Sequence, residues 1–335
     1  MAVLNILDYS PVDEGMTAAD ALQQTVELAQ LAEQLGYHRF WAAEHHQVLS
    51  VAGSSPEMLM MQLAASTARI RIGSGGVMLP HYSAYKVAEN FRLLEALHPG
   101  RIDLGIGRSR SYRMVNQALN EEKGKRLSYE QQLDDLKKFF SDDVTSEHRF
   151  QSLLTTPIID TAPEMWLLGT GKGSAELAAA KGMAYAYAHF AKPSITGVEI
   201  IETYRAAFKP SGSMTAPKTT IAVFAVVGET AEEAERIAQA LDLWLLFVES
   251  DTPPPYYPSV ETAVNRGFSR TEQEKVARNR DRIIIGDAQQ VKAEIERIRE
   301  VYGADEITII PNIAGAENRK NVLRLLAEAF QLAAQ

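Results

Sequence analysis

The sequence predicts a (β/α)8 TIM barrel, an α/β fold of eight parallel strands each followed by a helix. Short apolar runs alternate with amphipathic segments along all 335 residues, and the strand-like runs number eight. The runs are apolar throughout rather than alternating, as "RIDLGI" (101–106) and "TIAVFAVV" (220–227) show, the pattern of strands covered on both faces. No shift in composition interrupts the rhythm, so one barrel domain over residues 1–335 is expected.

Taken in order, residues 3–9 form the first strand and 11–15 a loop. A helix over 17–35 follows. Thr17 can cap it, Asp20 stands three residues on, Leu22, Val26, Ala29 and Leu31 recur near helical spacing, and Gly36 stops it. Strand 38–43 comes next, then strand 69–78 with helix 85–97, and strand 101–106 with a helical region ending in 129–140. The second half repeats the unit: strand 164–168 and helix 174–181, strand 184–188 and helix 197–208, strand 219–227 and helix 230–248, strand 306–311 and helix 318–333. Two segments exceed the plan, at about 141–163 and about 249–288. The second opens with "SDTPPPYYPSV", whose prolines do not suit a helix interior, and continues into a helical stretch at 271–280. A long insertion between the seventh helix and the eighth strand is a candidate lid.

Composition narrows the function. The net charge is −9 and no long Lys/Arg run exists, so a nucleic-acid partner is not expected and a small-molecule substrate is. The chain has no cysteine, which excludes disulfides, zinc–thiolate sites, iron–sulfur clusters and thiol nucleophiles. No metal site is expected. "MAVLNILDYSPVDEG" lacks a basic stretch followed by a continuous apolar one, and nowhere do about 18 apolar residues run together. A cytoplasmic protein without a membrane partner is the expectation.

In such a barrel, chemistry sits at the C-terminal ends of the strands. Glu44-His45-His46 ends the second strand. Neighbours on a strand point to opposite sides, so the two histidines do not readily share a metal ion. A single histidine, His45, facing the mouth as hydrogen-bond partner or acid/base is the expected arrangement. In "LLGTGKGSAELAAAKG" (167–182) a strand runs into a Gly/Thr/Lys/Ser turn and then a helix. First-turn N–H groups, with Thr170, Lys172 and Ser174 nearby, are placed to hold a phosphate, although the same residues suit an ordinary helix start. The stretch is not a Walker A loop, because Trp166 stands at the first glycine position and Gly173 follows Gly171-Lys172. Arg108 can bring a fixed charge to the same anion or pair with a surface carboxylate. In "IGSGGVMLP" (72–80) three glycines interrupt a buried strand. They call for a bulge, an unusual peptide geometry, a close neighbour, or a flat ligand on bare backbone.

Together "FWAAEHH", "IGSGGVMLPHYSAYKVAENFRLLEALHPGRIDLGIGRSR" and "EMWLLGTGKGSAELAAAKGMAYAYAHF" resemble the bacterial luciferase-like flavin monooxygenase family. The similarity extends from the first strand to "YGADEITII" and the final helix. It implies a (β/α)8 barrel that takes reduced FMN (FMNH2) from a separate NAD(P)H-dependent flavin reductase, reacts it with O2 to a flavin C4a-peroxide, and oxygenates a small organic substrate. It further implies His45 as the active-site histidine and Ser74-Gly75 as a non-prolyl cis peptide and bulge beneath the isoalloxazine. Arg108 would meet the FMN phosphate, Thr170, Gly171 and Ser174 would lie in the phosphate-binding loop, and His189 would stand near the flavin. The long segment after Val248 would be a mobile lid, and relatives pair as homodimers. Gly107 precedes Arg108 where true luciferases carry a reactive cysteine, so light emission is not implied. Relatives with the same barrel use the deazaflavin F420 for hydride transfer, and others bind flavin without catalysis; both remain alternatives. A sugar-phosphate lyase or isomerase would want a catalytic Lys or carboxylate pair at the strand ends, and no convincing pair stands there.

Overall fold

The structure, a computed structural model, describes residues 2–109, 111–120, 127–191, 195–250 and 254–333. β1 (Val3–Asp8) leads through α1 (Ala18–Gln34) to β2 (Arg39–Ala42), and α2 (Pro56–Ser66) leads to β3 (Arg71–Ser74) and β4 (Val77–Met78). After α3 (Ala84–Leu97) come β5 (Ile102–Gly107), α4 (Arg113–Ala118) and α5 (Tyr129–Ser141), then β6 (Glu164–Gly169), α6 (Lys172–Lys181), β7 (Ala184–Ala188) and α7 (Ile195–Ala207). β8 (Thr219–Gly228) is followed by α8 (Ala231–Val248), α9 (Val260–Arg266), α10 (Arg270–Arg280), β9 (Ile283–Asp287), α11 (Ala288–Tyr302), β10 (Glu306–Ile310) and α12 (Ala316–Phe330). The helix starts follow local chemistry. Thr17 and Asp20 close a reciprocal cap on α1, the Asp20 N–H donating to Thr17 Oγ1 (3.2 Å) and the Thr17 N–H to Asp20 Oδ2 (2.8 Å).

Every strand pair is parallel, in the order β10-β1-β2-β3-β5-β6-β7-β8, and β8 pairs back onto β10. The sheet therefore closes into the expected eight-stave barrel, with β4 continuing β3 along β5. The third stave is not continuous over 69–78. It breaks at Gly75-Gly76, which carries the cis peptide, one residue beyond the expected Ser74-Gly75.

The segment 249–288 also differs from the expected plan. Residues 251–253 lie outside the described residues, and the rest is largely ordered into α9, α10 and a ninth parallel strand, β9. Phe224 of β8 pairs with Ile310 on one edge and Ile283 on the other. β9 thus occupies the edge of β8 that β7 leaves after Ala222. Tyr257 straps this region across the mouth: its N–H donates to Val12 O and its Oη to Asn312 O, both at 2.6 Å.

Inside the barrel, alternate strand residues form layers. The N-terminal layer is ionic: buried Arg39 pairs with Asp103 (2.7 Å), Glu306 (2.8 Å) and Glu164 (3.1 Å), and Lys218 adds Glu306 (3.1 Å). Above it Trp41 and Trp166 meet edge-to-face at 5.5 Å, with Trp41 Nε1 donating to Asp103 (2.9 Å). Among the described residues no helix is long and apolar enough to cross a membrane.

Candidate active site

Above the tryptophan layer the inward residues become small. Gly75, Gly76, Gly107, Ala186, Ala188 and Ala222 line a cavity of about 660 Å3 at the C-terminal mouth, a size that suits a cofactor-like ligand. The bare floor follows from packing. A Cβ on Gly75 would lie 2.5 Å from Leu7 Cδ1, and one on Gly76 would lie 2.8 Å from Gly105 O. Ser74 is fully buried and outside the lining. Its Oγ donates to Gly105 O (2.9 Å), latching β3 to β5 beneath the floor.

One wall is the end of β2. The His45 N–H donates to Gly53 O (2.8 Å), and its ring packs on Tyr9 at 4.7 Å, both residues lining the cavity. His45 Nδ1 is buried without a partner. Burial, and then the neighbouring His46, push the imidazole down to about 4, so the ring is neutral at physiological pH. Tyr9 makes no hydrogen bond to described residues, and burial raises its pKa, which keeps the phenol protonated. Glu44 turns the other way. Its sealed carboxylate accepts from the Met78 N–H (2.9 Å) and Tyr82 Oη (2.6 Å) and lies 2.7 Å from His46 Nε2. The adjacent histidines therefore separate, His45 to the cavity and His46 to Glu44.

The opposite end carries the positive features. Arg108 lines the cavity at the end of β5, is exposed, and has no ion pair among the described residues. Across from it Gly171 caps α6, and Thr170, Gly171, Gly173 and Ser174 line the cavity. Ser174 Oγ donates to Gly171 O (2.6 Å) and lies 2.9 Å from Tyr185 Oη. A Cβ on Gly171 or Gly173 would meet nothing within 4 Å, so the first turn opens onto free space with its positive dipole end, while the Ser174 N–H donates to Gly171 O (3.1 Å) within the cap. Gly169 makes the tight approach possible, since a Cβ there would lie 2.6 Å from Ser174 Cβ.

The structure thus brings together His45, Gly75, Arg108, Thr170, Gly171 and Ser174 of the residues singled out in the sequence. It does not bring in the other three. Lys172 is exposed, 3.7 Å from Glu176. His189 turns toward α11, its Nδ1 2.9 Å from Tyr302 Oη, and burial lowers its pKa; Phe190 and Ala191 line the cavity in its place. Glu44 was read with His45 and His46 as the end of the second strand, but neither it nor Tyr9 was given a role in the sequence. Tyr9 stands two residues after Leu7, one residue past the end of β1, and the continued alternation was the available signal. Among the described residues no group of three or more His, Asp or Glu converges as a metal-ligand set.

The sequence matches the family described as luciferase-like monooxygenase over residues 5–306. Its relatives include the Bacillus subtilis protein YwcH, 46% identical over 98% of this chain and 99% of its own. They also include N-acetyl-S-alkylcysteine monooxygenase of B. subtilis, 40% identical over 98% of both chains. The crystal structure of apo-MsnO8 superposes with a TM-score of 0.90 at 37% identity, covering 100% of both chains. Two further solved chains share the fold at 17% identity. One is the oxygenating constituent of 3,6-diketocamphane monooxygenase from Pseudomonas putida in complex with FMN (TM-score 0.71, covering 99% of this chain and 98% of that one). The other is an F420-dependent secondary alcohol dehydrogenase (TM-score 0.64, covering 98% of both).

Proposed function

The chain belongs to the luciferase-like monooxygenase family, and from that premise we propose that it is an FMN-dependent monooxygenase that uses O2 to oxygenate a small organic substrate. The observation that carries this reading is the division of the cavity into two poles. Arg108, with no ion pair among the described residues, lines one end with the first turn of α6, neutral His45 lines the other, and bare Gly75-Gly76 backbone lies between them. A ligand with a phosphate at one end and a flat ring at the other fits that division. The free space over Gly171 and Gly173 admits the phosphate, and the side-chain-free floor lets a ring lie close.

Bound reduced FMN would supply the electrons that activate O2, by way of the C4a-peroxide that the family resemblance implies. The chain's own part is positioning and shielding. Arg108, Thr170 and the α6 N–H groups hold the phosphate, Lys172 contributes through its backbone N–H, and Ser74 fixes the floor. His189 orients the Phe190-Ala191 edge from behind. His45 offers a hydrogen-bonding nitrogen without a charge, and the apolar walls exclude water from the reacting centre. A separate cytoplasmic NAD(P)H-dependent flavin reductase supplies the cofactor, and the chain works as a homodimer.

The relative named N-acetyl-S-alkylcysteine monooxygenase makes alkyl thioethers the first substrates to try. Purified protein is supplied with FMN, NADH, a flavin reductase, 18O2 and a thioether panel. One labelled oxygen atom in the product is expected. Turnover with F420 and no label would replace oxygenation by hydride transfer. Flavin binding without any product from a broad panel would leave a non-catalytic flavin carrier.

A further inference from the structure

Arg108 is exposed, and no carboxylate partners it among the described residues. It rests instead on a ring: its guanidinium carbon lies 6.0 Å from the centroid of Tyr129. Tyr129 opens α5, and that helix end is fixed twice. The Ser128 N–H donates to Gln131 Oε1 (3.0 Å) and the Gln131 N–H to Ser128 Oγ (3.2 Å). One turn in, Gln132 Nε2 donates to Leu79 O and Tyr82 O, each at 3.1 Å, which joins α5 to the segment that leaves the cavity floor. Tyr129 itself is half-buried against the core, and its hydroxyl is buried without a partner.

We propose that Tyr129 is a positioning residue for the anion pole: its ring holds the Arg108 guanidinium toward the first turn of α6, presetting the charge for a phosphate. The choice of an aromatic support has a physical reason. A carboxylate would orient the guanidinium equally well but would neutralise it and compete with the incoming anion. A ring face leaves all of the N–H donors free. Burial raises the Tyr129 pKa even with Arg108 nearby to oppose it, so the support stays a neutral phenol. The hydroxyl makes no contact that the role requires, which assigns the function to the ring.

This inference rests on the phosphate reading of Arg108 in the proposed function, and one binding experiment separates the two. Reduced FMN and reduced riboflavin are titrated anaerobically into the wild type, Arg108→Ala, Tyr129→Leu and Tyr129→Phe. Arg108→Ala should weaken FMN by at least about tenfold relative to riboflavin, as loss of a charge-assisted phosphate contact does. Tyr129→Leu should weaken FMN by roughly two- to fivefold and leave riboflavin unchanged, and Tyr129→Phe should bind both like the wild type. Equal losses for FMN and riboflavin in Tyr129→Leu, or no loss, would overturn the positioning role while leaving Arg108 in place. No FMN-selective loss in Arg108→Ala would overturn the phosphate reading itself.

Discussion

His45 is where a single side chain decides most. Its Nδ1 has no partner among the described residues and its ring lies against Tyr9 on the cavity wall, and the proposed function has it act on a bound reactant rather than bind the cofactor. His45→Ala should therefore leave reduced-FMN affinity within about twofold and lower oxygenation by roughly a hundredfold, within the usual range for a lost acid/base group. Parallel titration and 18O incorporation would show it, and unchanged incorporation would remove His45 from the chemistry. The same residue gives a stability signature. Folding holds His45 near 4, against an ordinary value of 6.5, so the unfolded chain takes up the extra proton first as the pH falls. Its effect is absent above about pH 6.5 and destabilising progressively down to about pH 4. His45→Gln should flatten that part of a urea-unfolding profile. His45 was legible in the sequence because a strand end forces adjacent residues apart. His189 and Lys172 stand at equally polar strand and helix ends, but sequence position does not say which way a side chain leaves a turn. His189 left toward Tyr302 and Lys172 toward Glu176.

The elements around the cavity are tied by few contacts, and two of them bear testing. Glu44 joins the end of β2 to Met78 and Tyr82. Glu44→Ala should cost about 1–3 kcal/mol, because it strands a part-buried N–H and hydroxyl, whereas Glu44→Gln keeps an acceptor and should cost less. Equal unfolding midpoints for the two variants would contradict this link. At the β6–α6 junction, Gly169→Ala would drive a Cβ into Ser174. It should cost about 1–3 kcal/mol as overpacking and weaken FMN more than riboflavin, since it displaces the first turn of α6. The βα rhythm made most elements readable. It hid β9, because the prolines after Glu249 and the segment's length point to a loop, and "RIIIGD" alone does not reveal a strand that pairs with only the upper half of β8. Of the explanations that the glycines of "IGSGGV" invited, the structure shows two: close neighbours demand them, and the Gly75-Gly76 peptide is cis.

At the scale of the whole barrel, the ionic layer and the candidate site sit at opposite ends of the strands. The ionic layer around Arg39 lies beneath the tryptophans, with Arg39 and Asp103 buried and Glu164 and Lys218 partly exposed. Arg39→Met should lower stability by about 2–4 kcal/mol, because it removes the cation shared by Asp103 and Glu306 and leaves only Arg71 on the one and Lys218 on the other, yet the folded variant should bind reduced FMN like the wild type. Altered FMN affinity at full stability would show that the two ends are coupled. Burial pushes the Asp103 and Glu306 carboxyls up, but their cationic partners, Arg39 foremost, outweigh it and hold both below the ordinary range. Their contribution is present above the ordinary carboxylate range and is lost as the pH falls through the lowered values, and Arg39→Met should weaken that dependence, with Arg71 and Lys218 keeping part of it. The barrel was legible because strands covered on both faces must be apolar along their length. The two-pole cavity was only half legible, since it depends on which residues are small as much as on which are polar. The central claim is that this cavity is built for FMN. Anaerobic calorimetric titration of the purified chain with reduced FMN, reduced riboflavin and reduced F420 tests it most directly. Saturable FMN binding at one site per chain, at least about tenfold tighter than riboflavin and tighter than F420, is the predicted result. Tight F420 with weak FMN, or FMN and riboflavin bound alike, would contradict it.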